Sequence, residues 1–278
     1  MDTFLLDTVF RSFLAEDLEH GDITTEAIFT PQDRARACFI ARHPMVVVGM
    51  ETVAARVFSL LDATVSCTGA LADGSRVEAG TELLTLSGAT RTLLRGERVA
   101  LNLVQRLCGI ATLTSAFVDQ VKGTRAKIVD TRKTTPGLRL LEKYAVRAGG
   151  GQNHRFSLSD GVLIKDNHIA ACGSITEAVQ RVRARVPHTI NVEVETDTLV
   201  QVEECLACRV GVIMLDNMDL ATMRRAVEMI GGRALVEASG GVNLQTVRGI
   251  AETGVDIISV GALTHSAKAC DIGMDWRS

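Results

Sequence analysis

The feature that most constrains this chain is a beat in its second half. Strand-like apolar runs at Ile190–Glu195, Val210–Asn217, Ala234–Gly241 and Asp256–Ala262 begin 20 to 24 residues apart, each followed by polar residues and a helical pattern. Two earlier runs, Lys127–Thr131 and Gly161–Asp166, have the same form. Parallel strands need a crossover of a dozen or more residues between them, and a helix supplies it. The beat therefore predicts repeated β/α units on a parallel sheet or barrel. Six units are few for a regular eight-stranded barrel unless weak strands occupy the gaps. Ser174-Ile-Thr-Glu177 has the pattern of a helix-capping box, and Asp197, Asp219 and Asn243 are further expected N-caps.

The first half reads differently. Leu5, Leu6, Val9, Phe10, Phe13 and Leu14 recur at a helical period. Strand-like runs follow at Ala35–Ala41, Met45–Val48, Ala63–Cys67, Ser75–Val77 and Glu82–Ser87, the later ones bounded by Gly69, Asp73-Gly74, Gly80 and Gly88. That pattern predicts a small sheet over 62–88, and a long helix is expected from about Leu93 to Val121. At about 100–200 residues per domain, 278 residues make one large domain or two small ones.

Composition removes several classes of function. Net charge is −3 and aromatic residues make up 4% of the chain, which argues against a nucleic-acid binder or a base-stacking surface. No run of 18 uncharged apolar residues is present, so no membrane-spanning helix is expected. The N-terminal stretch carries Asp2, Asp7, Glu16, Asp17 and Glu19 and lacks the form of a secretory signal. Seven cysteines, an odd number, read as reduced thiols in a cytoplasmic protein. Cys205 and Cys208 have metal-pair spacing but no second pair and no ligand-spaced histidine, so packing is their expected role.

In a parallel barrel the chemistry sits at the C-terminal ends of the strands. Those ends read Asp130-Thr-Arg-Lys-Thr-Thr-Pro-Gly137, Lys165-Asp-Asn-His168, Glu193-Val-Glu195, Asp216-Asn217, Glu237-Ala-Ser-Gly-Gly241 and Ser259-Val-Gly261. Nearly all end in charge or glycine. Residues 125–168 hold nine Lys/Arg against four acids, so the remainder of the chain sums to −8. A cationic segment of this kind suits carboxylates and phosphates. Ser239-Gly240-Gly241 and Gly261 suit close approach of backbone N–H groups to a phosphate. Glu195 and Asp216, on neighbouring strands, suggest a Mg²⁺ site that retains water. No nucleophile set, Walker loop or Gly-x-Gly-x-x-Gly is present. From the residues alone the reading is metal-assisted transfer or lyase chemistry on a phosphorylated sugar.

The motifs carry a resemblance. Asp130 through Arg139, Glu142-Lys-Tyr-Ala-Val-Arg-Ala-Gly-Gly150, His154-Arg155 and Lys165-Asp-Asn-His168 closely resemble the carboxylating nicotinate-nucleotide pyrophosphorylases, or quinolinate phosphoribosyltransferases. The likeness extends through Glu16-Asp17, Gly21-Asp-Ile-Thr-Thr25, Gly96–Asn102, Val192–Glu195, Leu215–Asn217 and Glu237–Gly241, in order along the chain. It implies an α/β fold: an N-terminal α/β sandwich domain over 1–108, joined by the C-terminal tail 268–278, and an incomplete TIM-like α/β barrel over 109–267. It implies a homodimer, or a higher even oligomer, with shared active sites. It implies conversion of quinolinate and phosphoribosyl pyrophosphate into nicotinate mononucleotide, pyrophosphate and CO₂ with Mg²⁺, in NAD biosynthesis. On the matching positions, Arg132, His154, Arg155 and Lys165 bind quinolinate, with Arg98 from the other subunit. Lys133, Glu195, Asp216, Ser239, Gly240, Gly261 and His265 bind phosphoribosyl pyrophosphate. Lys133, Lys165, Glu195 and Asp216 carry the chemistry, and Glu195 and Asp216 hold the metal directly or through water. The alternatives are a paralogue associated with molybdate transport and a catalytically silent phosphate-binding barrel.

Overall fold

The computed structural model describes residues 3–277, so Asp2 and the two outermost ends of the expected N-terminal domain, residues 1 and 278, lie outside the described residues. In chain order the first elements are α1 (Thr3–Leu18), α2 (Ile23–Ile28), β1 (Arg34–Ala41), β2 (Met45–Val46), a π-helical turn Met50–Ala55 running into α3 (Arg56–Leu61), β3 (Ser66–Thr68), β4 (Arg76–Val77), β5 (Glu82–Ala89) and α4 (Thr90–Gln120). There follow β6 (Lys127–Val129), α5 (Arg139–Ala148), β7 (Val162–Ile164), α6 (Asp166–Cys172), α7 (Ile175–Arg183), β8 (Val192–Thr196), α8 (Leu199–Ala207), β9 (Val212–Asp216), α9 (Leu220–Ile230), β10 (Leu235–Ser239), α10 (Val247–Ala251), β11 (Ile257–Ser259), α11 (Ala262–His265) and β12 (Ile272–Arg277). The chain divides into two units, one of Met1–Leu113, Leu140–Gly150 and Ala267–Ser278, the other of Thr114–Arg139 and Gly151–Ser266.

The first unit is built on an antiparallel sheet of order β12-β1-β5-β3, so the last strand of the chain pairs with the first. Phe39 on β1 meets Phe58 on α3 edge-on, with centroids 6.2 Å apart and both rings fully buried. Truncating such a ring costs about 3–5 kcal/mol. A Cβ at Gly96 would lie 2.7 Å from the Phe58 ring, so glycine lets α4 approach α3. The unit also takes in residues 140–150, which the resemblance places within the barrel span 109–267. The reason is polar: Glu142 on α5 is fully buried and ion-paired with Arg106 on α4 at 2.5 Å, and the Tyr144 hydroxyl bonds to Asp73.

Among the described residues, α4 is long and apolar enough, by length and composition, to cross a membrane, which a count of uncharged runs does not reveal. Its most apolar stretch is 61% buried inside the fold, with Leu93, Ala100, Val104, Ile110 and Ala111 fully enclosed. It is built as an amphipathic core helix, with Arg98 and Asn102 on its exposed side.

The second unit realises the predicted beat as a parallel sheet of order β6-β11-β10-β9-β8-β7. No hidden strand joins β6 to β7 among the described residues. Instead Gln152 makes a single bridge to Val129, placing the 151–155 segment beside the open edge. The barrel is therefore incomplete, as six units require. Register sets what faces inward: Glu193 pairs with Val212, Glu195 with Met214, Glu237 with Met214 and Ile257, and Ser239 with Asp216. Because side chains alternate along a strand, these residues share one face. Ser174 and Asp219 cap α7 and α9 through their side chains as expected. At α8 the cap is Thr198 rather than Asp197, in a capping box with Gln201. Asn243 folds a turn ahead of α10, accepting from the N–H groups of Gln245 and Thr246, while Thr246 holds the N-cap position.

Candidate active site

At the C-terminal ends of these strands lies a pocket of about 580 Å³. It is lined by Thr131, Arg132 and Lys133 after β6, His154 and Arg155, Lys165 after β7, Glu195 on β8, Asp216 and Asn217 at the end of β9, Glu237 and Ser239 to Gly241 on β10, and Ser259 on β11. Residues scattered over more than a hundred positions thus converge on one cavity.

The cationic wall is positioned by a buried anion. Asp130, fully enclosed at the end of β6, accepts from the Asn153 side-chain amide at 2.5 Å and from the His154 backbone N–H at 3.0 Å. It fixes the loop that carries His154 and Arg155. Arg155 in turn donates to the Gly161 carbonyl at 2.9 Å. Burial, then the neighbouring charge of Arg132, lowers the Arg155 pKa. Like charges held together in this way are a preformed receptor for anions. Arg132 has a buried Nε–H with no hydrogen-bond partner, a donor that a carboxylate would satisfy. Arg139 braces the same loop by donating to the Thr134 hydroxyl at 2.9 Å, and Thr264 donates to the Lys133 carbonyl at 2.8 Å.

Opposite stand the acids. Lys165 Nζ lies 3.0 Å from Glu195 Oε2. The Lys165 backbone N–H donates to His168 Nδ1 at 2.9 Å, so the histidine of the Lys-Asp-Asn-His block holds the turn that presents the lysine. Asp216 accepts from the Asn217 side-chain amide at 2.6 Å. Asn217 itself has a left-handed φ of 54°, tolerated by asparagine better than by most residues. Its backbone N–H bonds to the Ser239 carbonyl. Gly240 next to it has φ 90°, and a Cβ there would overlap the Asn217 side chain, so this strand end admits only glycine.

The expected residues divide as follows. Arg132, Lys133, His154, Arg155, Lys165, Glu195, Asp216, Ser239 and Gly240 line the pocket. Gly261 and His265 sit beside its edge: a Cβ on Gly261 would lie 3.0 Å from Lys133 Cδ and 3.2 Å from His265 Nε2. Arg98 is on α4 in the first unit and is not among the lining residues. His154 lines the pocket with both ring nitrogens engaged by the protein. Its Nδ1 accepts the Arg155 backbone N–H at 2.7 Å, and its Nε2 points inward, 3.1 Å from Glu193 and 3.6 Å from Glu237. Asp130, His168, Glu193 and Glu237 stand within the strand-end motifs of the sequence, which assign them no role in the site. The signal for the two glutamates was their alternation with Glu195 and Ser239.

Two places invite a cation. Glu195 and Asp216 offer oxygen donors in a pocket also lined by Lys133 and Arg132, a donor set that fits Mg²⁺, which takes one or two carboxylates together with water. His154, Glu193 and Glu237 also cluster, with ligand atoms within 4.8 Å of one another. There the chemistry of the donor set does not fit: Nδ1 accepts a backbone N–H, so the ring proton occupies Nε2, the atom a metal would need. Cys205 is buried and joins no such cluster, and burial pushes its thiol pKa up to about 12.

An incomplete α/β barrel with guanidinium and ammonium groups facing carboxylates across a glycine-rich rim defines an enzyme acting on phosphorylated, anionic substrates. The quinolinate phosphoribosyl transferase N-terminal domain model matches residues 22–108 and the C-terminal domain model residues 110–275. The chain is 46% identical over 275 residues to a probable carboxylating nicotinate-nucleotide pyrophosphorylase of Bacillus subtilis, covering 99% of this chain and 94% of that one. It is 46% identical to the corresponding enzyme of Mycobacterium leprae, covering 97% and 96%. The crystal structure of NadC from Streptococcus pyogenes superposes with a TM-score of 0.95 at 43% identity, covering 100% and 99%. The chain belongs to the quinolinate phosphoribosyltransferase family.

Proposed function

We propose that this chain converts quinolinate and phosphoribosyl pyrophosphate into nicotinate mononucleotide, pyrophosphate and CO₂, a step of NAD biosynthesis. The observation that carries this reading is the single pocket in which Arg132, Lys133, Arg155 and Lys165 face Glu195 and Asp216. A dicarboxylate and a polyphosphate together need that many cations. A ribose acquiring positive charge needs the carboxylates.

The pyridine nitrogen displaces pyrophosphate at the anomeric carbon. Arg132 and Arg155 hold the quinolinate carboxylates, with His154 forming the floor beneath them. Lys165 sits between the substrates, tethered to Glu195. Glu195 and Asp216 orient the ribose hydroxyls and stabilise charge at the anomeric carbon. Lys133 stabilises the departing pyrophosphate. Ser239 and Gly240, with Gly261 and His265 at the edge, hold the 5-phosphate. Mg²⁺, when bound by Glu195 and Asp216 directly or through water, supplies charge neutralisation of the pyrophosphate. Most of the acceleration comes from orienting two substrates and from placing charge where it develops, which accounts for a site without a nucleophile.

The same reading takes the protein to be a cytoplasmic homodimer in which Arg98 reaches the partner's pocket. The test is direct. Protein supplied with Mg²⁺, phosphoribosyl pyrophosphate and quinolinate forms nicotinate mononucleotide. Consumption of nicotinate in place of quinolinate, or phosphate binding without turnover, overturns the assignment.

A further inference from the structure

Below the rim, the inner face of the barrel carries charged groups that phosphoribosyl transfer does not use. Glu237 is 2% exposed and lines both the active pocket and a second, solvent-open cavity of about 300 Å³ toward the N-terminal ends of the strands. Its Oε1 has no hydrogen-bond partner. Its Oε2 is 3.6 Å from His154 Nε2, beyond hydrogen-bond reach, whereas Glu193 Oε2 is 3.1 Å from the same nitrogen. Since His154 Nδ1 accepts the Arg155 N–H, the ring's one proton is on Nε2 and is directed to Glu193. The groups facing Glu237 are thus Glu193 from β8, His154 from the edge segment and the Ser259 hydroxyl from β11. Its register partners Met214 on β9 and Ile257 on β11 are apolar. No Lys or Arg pairs with it among the described residues.

An anion in that position is buried, has only the Ser259 hydroxyl as a facing donor besides His154, and lies against another carboxylate, Glu193. Burial first and the Glu193 charge second raise the Glu237 pKa to about 8, with His154 opposing them. Glu237 therefore carries a proton at neutral pH at the floor of the pocket. Other groups there are poorer donors: Arg132 and Arg155 release protons too reluctantly, Lys165 is held by Glu195, Lys133 is committed on the functional reading to the departing pyrophosphate, and the His154 proton is aimed at Glu193.

On the functional reading above, we infer that the Glu237 carboxyl group donates the proton that replaces CO₂ on the pyridine ring. Once the ring nitrogen carries ribose, the bond from the adjacent ring carbon to its carboxylate breaks and CO₂ leaves. The electron pair stays on that carbon beside the cationic nitrogen. It takes the proton from the Glu237 O–H, and the resulting carboxylate regains a proton from water. While CO₂ remains in the pocket its loss is reversible, and protonation of the carbon makes it irreversible. A donor at the floor therefore raises the net rate of decarboxylation without touching the sugar chemistry.

The experiment is a single turnover of Glu237→Gln and wild-type protein with quinolinate, phosphoribosyl pyrophosphate and Mg²⁺, following pyrophosphate release and nicotinate mononucleotide formation separately. In Glu237→Gln, pyrophosphate release stays within about threefold of wild type. Carbon protonation slows about 100-fold, the low end of general-acid contributions, and the undecarboxylated mononucleotide accumulates. In the wild type, the decarboxylation step alone declines as pH rises through about 8, a readout that stands even if the variant does not fold. Equal slowing of both steps, no slowing of either, or a wild-type decarboxylation rate that is flat through that pH range overturns the inference. Wild-type protein that releases no pyrophosphate from quinolinate overturns the functional reading instead.

Discussion

Asp130→Ala removes the anion on which the cationic wall is assembled. Asp130 is fully buried and accepts from Asn153 Nδ2 at 2.5 Å and from the His154 N–H at 3.0 Å. Hydrogen bonds to a charged acceptor contribute about 1.5–3 kcal/mol each, so the substitution costs about 3–4 kcal/mol once the loop relaxes toward solvent. The functional effect is larger than the loss of a remote contact would give, because the released segment carries Arg155. Displacing a substrate-positioning group by about 1 Å costs about 100-fold. Urea unfolding measures the first effect, read as a lower midpoint at unchanged slope. Steady-state kinetics measures the second, expected as a KM for quinolinate raised at least about tenfold and a kcat/KM lowered about 100-fold. A variant within about 0.5 kcal/mol of wild type with an unchanged KM for quinolinate refutes the claim that Asp130 organises the wall.

Glu237→Gln stabilises the fold at alkaline pH. The folded-state pKa of Glu237 is raised from 4.5 to about 8, so the wild type loses stability as pH rises through that window and the variant does not. At about 1.4 kcal/mol per pKa unit the gain is bounded at about 5 kcal/mol, and thermal melts across the window measure it. Gly240→Ala forces a side chain into a position with φ 90° against Asn217. It raises the KM for phosphoribosyl pyrophosphate about tenfold or more, with about 1–3 kcal/mol of strain, and leaves the KM for quinolinate nearly unchanged. Cys205 resists alkylation in the native protein, since burial holds its thiol pKa near 12, and mass spectrometry finds it modified only after unfolding.

The barrel was legible because its signal is periodic: a strand, a polar turn and a helix recurring every 20 to 24 residues leave few alternatives. The rim was legible for the same reason, since strand ends are where a barrel puts its chemistry. Depth was not. In Val192-Glu-Val-Glu195 both glutamates lie on the inward face, but Glu195 is at the pocket wall while Glu193 is enclosed beneath it, and alternation alone cannot tell rim from interior. Asp130 reads in sequence as one more strand-end charge, and its work of holding residues 153 and 154 depends on a contact across more than twenty positions. The short segments α2 and 50–61 lack enough turns to show a clear helical period. Residues 140–150 follow a barrel strand in the chain, yet their polar partners Arg106 and Asp73 are in the first unit.

On the proposed function, one pocket carries out both phosphoribosyl transfer and loss of a carboxylate. The most direct measurement is the stoichiometry of CO₂, pyrophosphate and mononucleotide formed from quinolinate labelled in the carboxyl group adjacent to nitrogen. The account predicts equal amounts of all three, with the label entirely in CO₂ and all turnover abolished by Arg155→Ala. Label retained in the mononucleotide at completion, or pyrophosphate released without CO₂, would contradict it.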